Sequence, residues 1–380
     1  MQSTIHIWAP DLWLTRGGIQ AYLLSVIQAV RALRPQARIT VLSMRDVEIP
    51  NEAKSIPGIE FHCTGGANGL ATRVRFCFKA VVLCLLNRPD ILMVGHVHFC
   101  SIAYFLKLFL RIPYYSFGYG LDIWGDRSWF FRHSLNSSRK VITISNYTAG
   151  RIQSDQHTRA DLIEILPCTF DSNRFIPKPR PSYLVERYGI RPDQMIILMV
   201  CRLASAERYK GYDILIEAIP KLLPSFPNVR FLIAGKGADF QRVSDRITEA
   251  GLSETIQLLG FVPDDELCDL YNLCDVFAMP SKGEGFGIVF VEALACGKPV
   301  LAGNRDGSKD AVLQGEVGAL VDPEIEAEIV ETLRLLLNGT HPNPHLRDGA
   351  YLRKRVIETF GFPAFVQQLG RILDTPEEHR

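Results

Sequence analysis

The sequence predicts an α/β protein made of two doubly wound domains in tandem. Three observations carry that prediction. Strand-like apolar runs alternate with helix-length amphipathic runs along the whole chain, which is the rhythm of a parallel sheet. The rhythm breaks near Phe175 in a stretch rich in Pro and charge, "IPKPRPSYLVERYGIRPD", and then restarts, so this stretch reads as a linker. At 380 residues the chain is too long for one ordinary core, and two domains of roughly 150–200 residues are expected.

The elements follow in order. "TIHIWA" (4–9) reads as the first strand, "GGIQAYLLSVIQAVRAL" (17–33) as an amphipathic helix and "RITVLSM" (38–44) as a second strand. Further strands are expected at 90–95, 113–119 and 140–145. Past the break, strands at 195–201, 229–235, 255–260, 275–280 and 299–303 alternate with helices at 211–223, 238–250, 264–273 and 287–296. A last helical stretch, 364–373, follows Pro363. No tandem repeat or low-complexity tract interrupts the pattern. Two doubly wound sheets in tandem would face a cleft with their strand carboxyl ends, where such sheets bind ligands.

Composition narrows the class. The chain is 47% hydrophobic and 22% charged, ordinary for a globular protein. No uncharged apolar run approaches the ~18 residues of a membrane span. The N-terminus lacks a basic segment before a long apolar core, so it reads as a strand rather than a secretory signal. The nine cysteines are odd in number and none forms a C-x-x-C pair. They read as small buried hydrophobes in a reducing compartment, not as a disulfide framework or zinc site. Charge is lopsided: residues 1–180 carry +9 (21 Lys/Arg against 12 Asp/Glu) and residues 181–380 carry −8 (21 against 29). Different partners for the two halves, or attraction between them, would both explain this.

Three loops after strands could carry chemistry. In "APDLWLTRGGIQAY" (9–22), Gly17 and Gly18 open a helix, where backbone N–H groups can approach an anion and Arg16 could add charge. A plain tight turn is the alternative. In "VCRLASAERYKGYDILIEA" (200–218), Arg202 ends a strand and Lys210 precedes a helix; this basic pair suits a diphosphate. In "GEGFGIVFVEALACGKP" (283–299), Glu284 stands just before a helix opened by Phe286 and Gly287, and Glu292 lies inside that helix among apolar residues. A phosphate docks at such a helix N-terminus without a metal. Glu284 is placed to accept hydroxyl hydrogen bonds from a sugar, and Glu292 can reach a ribose diol. A carboxylate in apolar surroundings is costly unless something bonds to it.

Taken together, the E-x7-E of "EGFGIVFVE", the Arg…Lys-Gly of "CRLASAERYKG", the N-terminal Gly-Gly loop and the continuation "ALACGKPVLAGNRDGSKDAV" resemble the retaining glycosyltransferases of family 4, with the GT-B fold. The resemblance implies two Rossmann-like domains: 1–178 for the acceptor, 190–358 for the nucleotide-sugar donor, and a C-terminal helix (359–380) packing back on the first. It implies that Glu284 contacts the donor sugar, Glu292 the ribose, Arg202 and Lys210 the diphosphate, and the Gly17 and Gly18 amides the donor phosphate. Phe286 and Gly287 belong with these donor contacts. A family histidine matches "GHVHFCS" best at His98, with His96 the alternative. Two details depart from the pattern: "LPCTFDSNRF" lacks the Gly usual before the linker, and Tyr119-Gly120 stands where His-Gly is common.

The activity so implied is retaining transfer of a hexosyl group, mannosyl or glucosyl favoured, from a GDP- or UDP-sugar. The acceptor would be a saccharide or a polyprenyl-diphosphate-linked acceptor in surface polysaccharide or glycolipid assembly. No D-x-D motif occurs, so no obligatory metal or cofactor is expected. The stretches 70–88 and 103–111 mix basic and large apolar residues. They suit an anionic membrane surface, or simply helices covering a sheet. A cytoplasmic protein, on the inner face of the cell membrane if that surface binds, is the expected setting. A nicotinamide dehydrogenase would need G-x-G-x-x-G, which "GKGADF" (235–240) does not complete. An epimerase or phosphorylase of the same fold and a silent scaffold remain as alternatives. No nucleic-acid-binding module is recognisable.

Overall fold

The computed structural model describes residues 3–15, 17–54, 56–66 and 69–374. Arg16 lies outside them. The chain divides into two compact units, Met1–Thr169 with Phe362–Arg380, and Phe170–Gly361.

In the first unit the strands β1 (Thr4–Ala9), β2 (Arg38–Ser43), β3 (Ile59–Cys63), β4 (Ile91–Val94), β5 (Tyr114–Gly118), β6 (Lys140–Thr143) and β7 (Ile163–Ile165) form one sheet in the order β3-β2-β1-β4-β5-β6-β7. Every neighbouring pair is parallel. β1 and β5 are apolar nearly throughout and buried on both faces, as a parallel sheet covered by helices requires. Helix Leu70–Leu86 buries Phe76, Ala80, Leu83 and Cys84 in a core shared with Trp8, Phe99, Cys100 and Ala103.

The C-terminal helix Phe362–Asp374 belongs to this unit and packs on helix Gly18–Leu33. Phe365 meets Tyr22 edge-on, with ring centroids 5.6 Å apart. Gln368 Nε2 donates to the Ile165 carbonyl at 2.5 Å. Gly370 leaves room for Leu33, whose Cδ2 would lie 3.0 Å from an added Cβ.

The second unit holds β8 (Met195–Val200), β9 (Val229–Ala234), β10 (Ile256–Gly260), β11 (Val276–Met279), β12 (Val300–Gly303) and β13 (Ala319–Val321), all parallel, in the order β10-β9-β8-β11-β12-β13. In both units the winding reverses beside the first strand, between β1 and β4 and between β8 and β11. The connections there leave toward opposite faces and open a crevice at the carboxyl ends.

The Pro-rich stretch after Phe175 is not a free linker. It carries a short helix, Ser182–Arg187, and is tied into the second unit. Lys178 N–H donates to Asn272 at 2.7 Å, and Arg180 forks onto both oxygens of Asp275 at 2.9 and 2.8 Å. Prolines hold the segment extended while its cations find carboxylates on neighbouring elements. Strands β3, β7 and β13 also lie outside the expected set. All three are sheet edges, short and interrupted by polar or half-exposed residues.

Phe365→Ala should lower the stability of the first unit by about 3 kcal/mol or more, the usual cost of emptying an aromatic site in a core. Denaturant unfolding followed by a probe in that unit measures it.

Candidate functional site

In the second unit the loops after β8 and β11 touch. Gly211 closes the first loop with φ +89°, and a Cβ there would stand 2.3 Å from the Pro280 carbonyl oxygen, so only glycine fits. Lys282 N–H donates to the Tyr209 carbonyl at 2.9 Å, locking the loops side by side.

This contact brings Lys210 and Glu284 together as an ion pair between Nζ and Oε1, with both side chains only 13% and 14% exposed. Burial alone would lower the Lys210 pKa, but the adjacent Glu284 carboxylate carries it above its ordinary value. Arg202, at the end of β8, is 75% exposed and pairs with Glu207 Oε1. Glu207 therefore stands between the two cations, its Oε2 3.7 Å from Lys210 Nζ.

Asp306 sets the position of Glu284. Its buried carboxylate accepts from Glu284 N–H at 2.7 Å, Ser281 Oγ at 2.8 Å and Ser308 N–H at 2.9 Å. Burial raises its pKa against these bonds. Gly307 in turn donates to the Glu284 carbonyl at 2.9 Å. Helix Ile288–Ala295 begins directly after this loop at Gly287, with φ +85° and no side chain capping the terminus. Its first N–H groups point along the helix axis with partial positive charge. Phe286 turns its ring into the core, 5.3 Å from Phe360 and edge-on, so what it offers a ligand is main chain.

Glu292 keeps a partner of its own. Tyr271 Oη donates to its Oε2 at 2.7 Å. Burial pushes the Glu292 pKa up to about 7, with the Tyr271 bond opposing.

In the first unit, two buried aspartates shape the loop after β1. Asp46 accepts from the consecutive amides of Leu12 (2.6 Å), Trp13 (3.0 Å) and Leu14 (2.7 Å), and from Ser43 Oγ at 2.6 Å. Asp11 is paired with Arg45 at 2.8 Å and accepts from Gln20 Nε2 at 2.9 Å. Burial would raise the Asp11 pKa, but bonds from Thr15 and Arg45 bring it below its usual value. The loop delivers the chain to helix Gly18–Leu33, which has no side-chain cap. A Cβ on Gly18 would meet nothing within 4 Å, and Gly17 has an extended φ of −171° that any residue adopts. Neither glycine is needed for backbone conformation; a Cβ on Gly17 would stand 2.9 Å from Gln20 Oε1, so that side chain would have to shift.

After β4, His96 caps a short turn by accepting from His98 N–H through Nδ1 at 3.3 Å. That bond places the proton of the neutral ring on Nε2. Burial lowers the His96 pKa to about 4, with Asp11 opposing. The His98 ring lies 4.5 Å from it, on an exposed residue. Burial of the imidazole and then the neighbouring His96 lower the His98 pKa too. Tyr119 Oη donates to the Gly95 carbonyl at 2.8 Å, beneath this turn.

Sequence reasoning singled out neither Asp46, Asp306 nor Glu207. Each is a lone carboxylate in or beside a turn, and only the amides or cations gathered around it distinguish it. Among the described residues no group of three or more His, Cys, Asp or Glu could hold a metal ion. All nine cysteines are free, six of them buried.

Comparison with known proteins accounts for most of the chain. Residues 16–174 match the family model described as Glycosyltransferase Family 4, and residues 184–353 the model described as Glycosyl transferases group 1. The chain belongs to glycosyltransferase family 4. One curated relative is the GDP-mannose-dependent alpha-(1-6)-phosphatidylinositol monomannoside mannosyltransferase of Mycolicibacterium smegmatis, 35% identical over 195 residues, which are 49% of this chain and 50% of that protein. The family 4 chain thus spans about half the length of the curated relatives it matches. Among solved structures, Anabaena Alr3699/HepE in complex with UDP aligns with a TM-score of 0.78 at 20% identity, over 99% of this chain and 100% of that one. Sucrose-phosphate synthase from Thermosynechococcus elongatus aligns with 0.81 at 19% identity, over 98% of both. These likenesses show the fold, which is GT-B.

The Glu292 shift has a sign that can be measured. Between pH about 4.5 and about 7 the folded chain keeps a proton on Glu292 that the unfolded chain has released, so folding stability falls as pH rises through that window. Glu292→Gln removes this dependence. Relative to the Glu292→Gln variant, wild type should lose stability from pH about 4.5 to about 7 and level off above, as read from denaturant midpoints of the second unit.

Proposed function

We propose that this chain transfers a hexosyl group, mannosyl or glucosyl, from a nucleoside-diphosphate sugar to a hydroxyl of a saccharide or lipid-linked acceptor, with retention of anomeric configuration. The observation that carries the reading is the meeting of Lys210, Arg202 and Glu284 beside an uncapped helix N-terminus, at the reversal of winding in the second unit. Family membership supports it, as do the GDP-mannose-dependent relative and the UDP-bound structural neighbour.

In this reading Arg202 and Lys210 hold the diphosphate, and the main chain at Phe286–Ile288 adds N–H donors. These are fixed dipoles and charges aimed at the negative charge that grows on the leaving group, the usual form of electrostatic catalysis. Glu284 accepts hydroxyl hydrogen bonds from the sugar. Glu292, oriented by Tyr271, takes the ribose diol. In the first unit Gly17 and Gly18 present amides to the donor, and His98 contacts a sugar hydroxyl. The open space around Gly18 supports this role. His96 is occupied as a turn cap, which favours His98.

The acceptor oxygen bonds to the anomeric carbon on the face that the diphosphate leaves. The anomeric carbon–phosphate oxygen bond breaks, and the acceptor proton passes to a leaving-group oxygen. Side-chain cations balance the diphosphate charge, so the reaction should not require a divalent ion.

The lipid-linked acceptor favours a chain that works on a membrane surface. Helix Leu70–Leu86 exposes Leu70, Val74, Phe78 and Leu85 along one stripe, and helix Cys100–Leu110 exposes Phe105, Leu108 and Phe109. Neither helix contains an acidic residue. Among the described residues no helix is long and apolar enough to cross a membrane. An apolar stripe edged by Arg73, Arg75 and Lys107 suits a peripheral contact with anionic lipid.

A transfer assay with GDP- and UDP-hexoses, with the product anomer read by proton NMR, tests the reaction. Transfer from one donor with retention, persisting in excess chelator, is expected; inversion, or sugar release only without an acceptor, would contradict the reading. Separately, the chain should sediment with anionic liposomes at low salt. Phe78→Ser/Phe109→Ser should reduce the bound fraction about tenfold or more, since each buried aromatic contributes over 1 kcal/mol.

A further inference from the structure

Lys210 has two carboxylates within ion-pair reach, and it gives a hydrogen bond to only one of them. Glu284 holds it as an ion pair. Glu207 Oε2 lies 3.7 Å away, beyond hydrogen-bond distance, and is a buried oxygen without a hydrogen-bond partner. Leaving a buried carboxylate oxygen unpaired is costly, and such an atom calls for a reason. Meanwhile Glu284 Oε1 is engaged by the Lys210 ammonium, so a sugar hydroxyl that approaches this oxygen competes with the cation for it.

We propose that Glu207 is a positioning residue that receives Lys210 when the Lys210–Glu284 pair opens for a donor. The proposal rests on the donor-site reading given above. In the Lys210–Glu284 pair, the cation meant for phosphate and the acceptor meant for sugar neutralise each other. A nucleotide sugar offers both replacements at once, phosphate oxygens to Lys210 and hydroxyls to Glu284. A bare nucleoside diphosphate offers only the first.

The geometry fits a handover. Glu207 and Lys210 are three residues apart in the stretch Ser205–Lys210, which kinks at Glu207 (φ −114°, ψ 23°), and the bend leaves Glu207 Oε2 3.7 Å from Lys210 Nζ. Closing 3.7 Å to a charged hydrogen bond of ~2.8 Å needs a shift of only about 1 Å, well within the freedom of a lysine stem with three rotatable donors. Arg202 already fixes Glu207 through Oε1, so the receiving oxygen is held in place while the ammonium moves. No charge is created or lost; Lys210 stays protonated throughout. One consequence concerns the product. Once the sugar has left, Glu284 recaptures Lys210, and the hold on the spent nucleoside diphosphate weakens. The pair thus favours entry of intact donor and exit of product.

Calorimetric titration of the full chain with two probes tests this: the nucleoside diphosphate that wild type binds, and its hexose conjugate. Glu284→Gln should bind the bare diphosphate about three- to tenfold more tightly, while losing the extra affinity for the conjugate. Glu207→Gln should bind the conjugate about three- to tenfold more weakly and the bare diphosphate within about twofold of wild type. Glu207→Asp, which keeps the charge, should recover part of that loss. The double variant should show no further loss over Glu284→Gln, since the two act through one ammonium. Equal weakening of both probes in Glu207→Gln would mark a merely structural role and overturn the proposal. So would an unchanged Glu207→Gln, or a Glu284→Gln that binds the bare diphosphate no better than wild type. Wild type binding neither probe would overturn the donor-site reading and this proposal with it. Wild type binding both without the pattern above would overturn the proposal alone.

Discussion

A parallel sheet forces every strand to end on the same edge, and a reversal of winding leaves that edge uncovered at one point. In the second unit the point lies between β8 and β11. The two loops that leave there must run side by side, and the rest of the site depends on how closely they do so. Gly211 lets them meet backbone to backbone, with no space for a Cβ against Pro280. Lys210 and Glu284, 74 residues apart in sequence, are paired because of that meeting.

Buried carboxylates fix what the sheet leaves loose. Asp306 holds the Glu284 amide and the next loop along the edge, and Asp46 collects three successive amides of the loop after β1. Each meets the hydrogen-bonding needs of loop backbone that no sheet or helix can serve, which is the general requirement for a loop packed close to a core. A similar device appears in both units: a carboxylate from the loop one strand outward holds the backbone of a loop at the reversal, on the β2 side in the first unit and on the β12 side in the second. It explains how irregular chain is held in one conformation.

The central strands were legible because burial on both faces makes them continuous apolar runs, as in "MIILMV" of β8. Of the four edge strands only β10 was, as the apolar run "IQLLG". β7 is "IEI" and β13 only "ALV", too short and too polar in context to stand out. In the segment after Phe175, Pro and charge signal a linker, and the partners of that charge could not be read: Lys178, Arg180 and Arg187 pair with Asp269, Asp275 and Glu266 of the same unit. In the candidate site, residue types and spacing picked out Arg202, Lys210, Glu284 and Glu292. The pairings could not be read, because they depend on contacts across the sheet edge. Glu207, Asp306 and Tyr271 were invisible for the same reason: a lone carboxylate in a turn and a tyrosine in a helix carry no signal until their partners are placed.

The proposed transfer requires nucleotide to be held at the carboxyl ends of β8 and β11. Hydrogen–deuterium exchange of the chain with and without saturating nucleoside diphosphate tests it most directly. Protection should concentrate in residues 201–211 and 283–292. Binding accompanied by protection elsewhere, with these two loops unchanged, would contradict it.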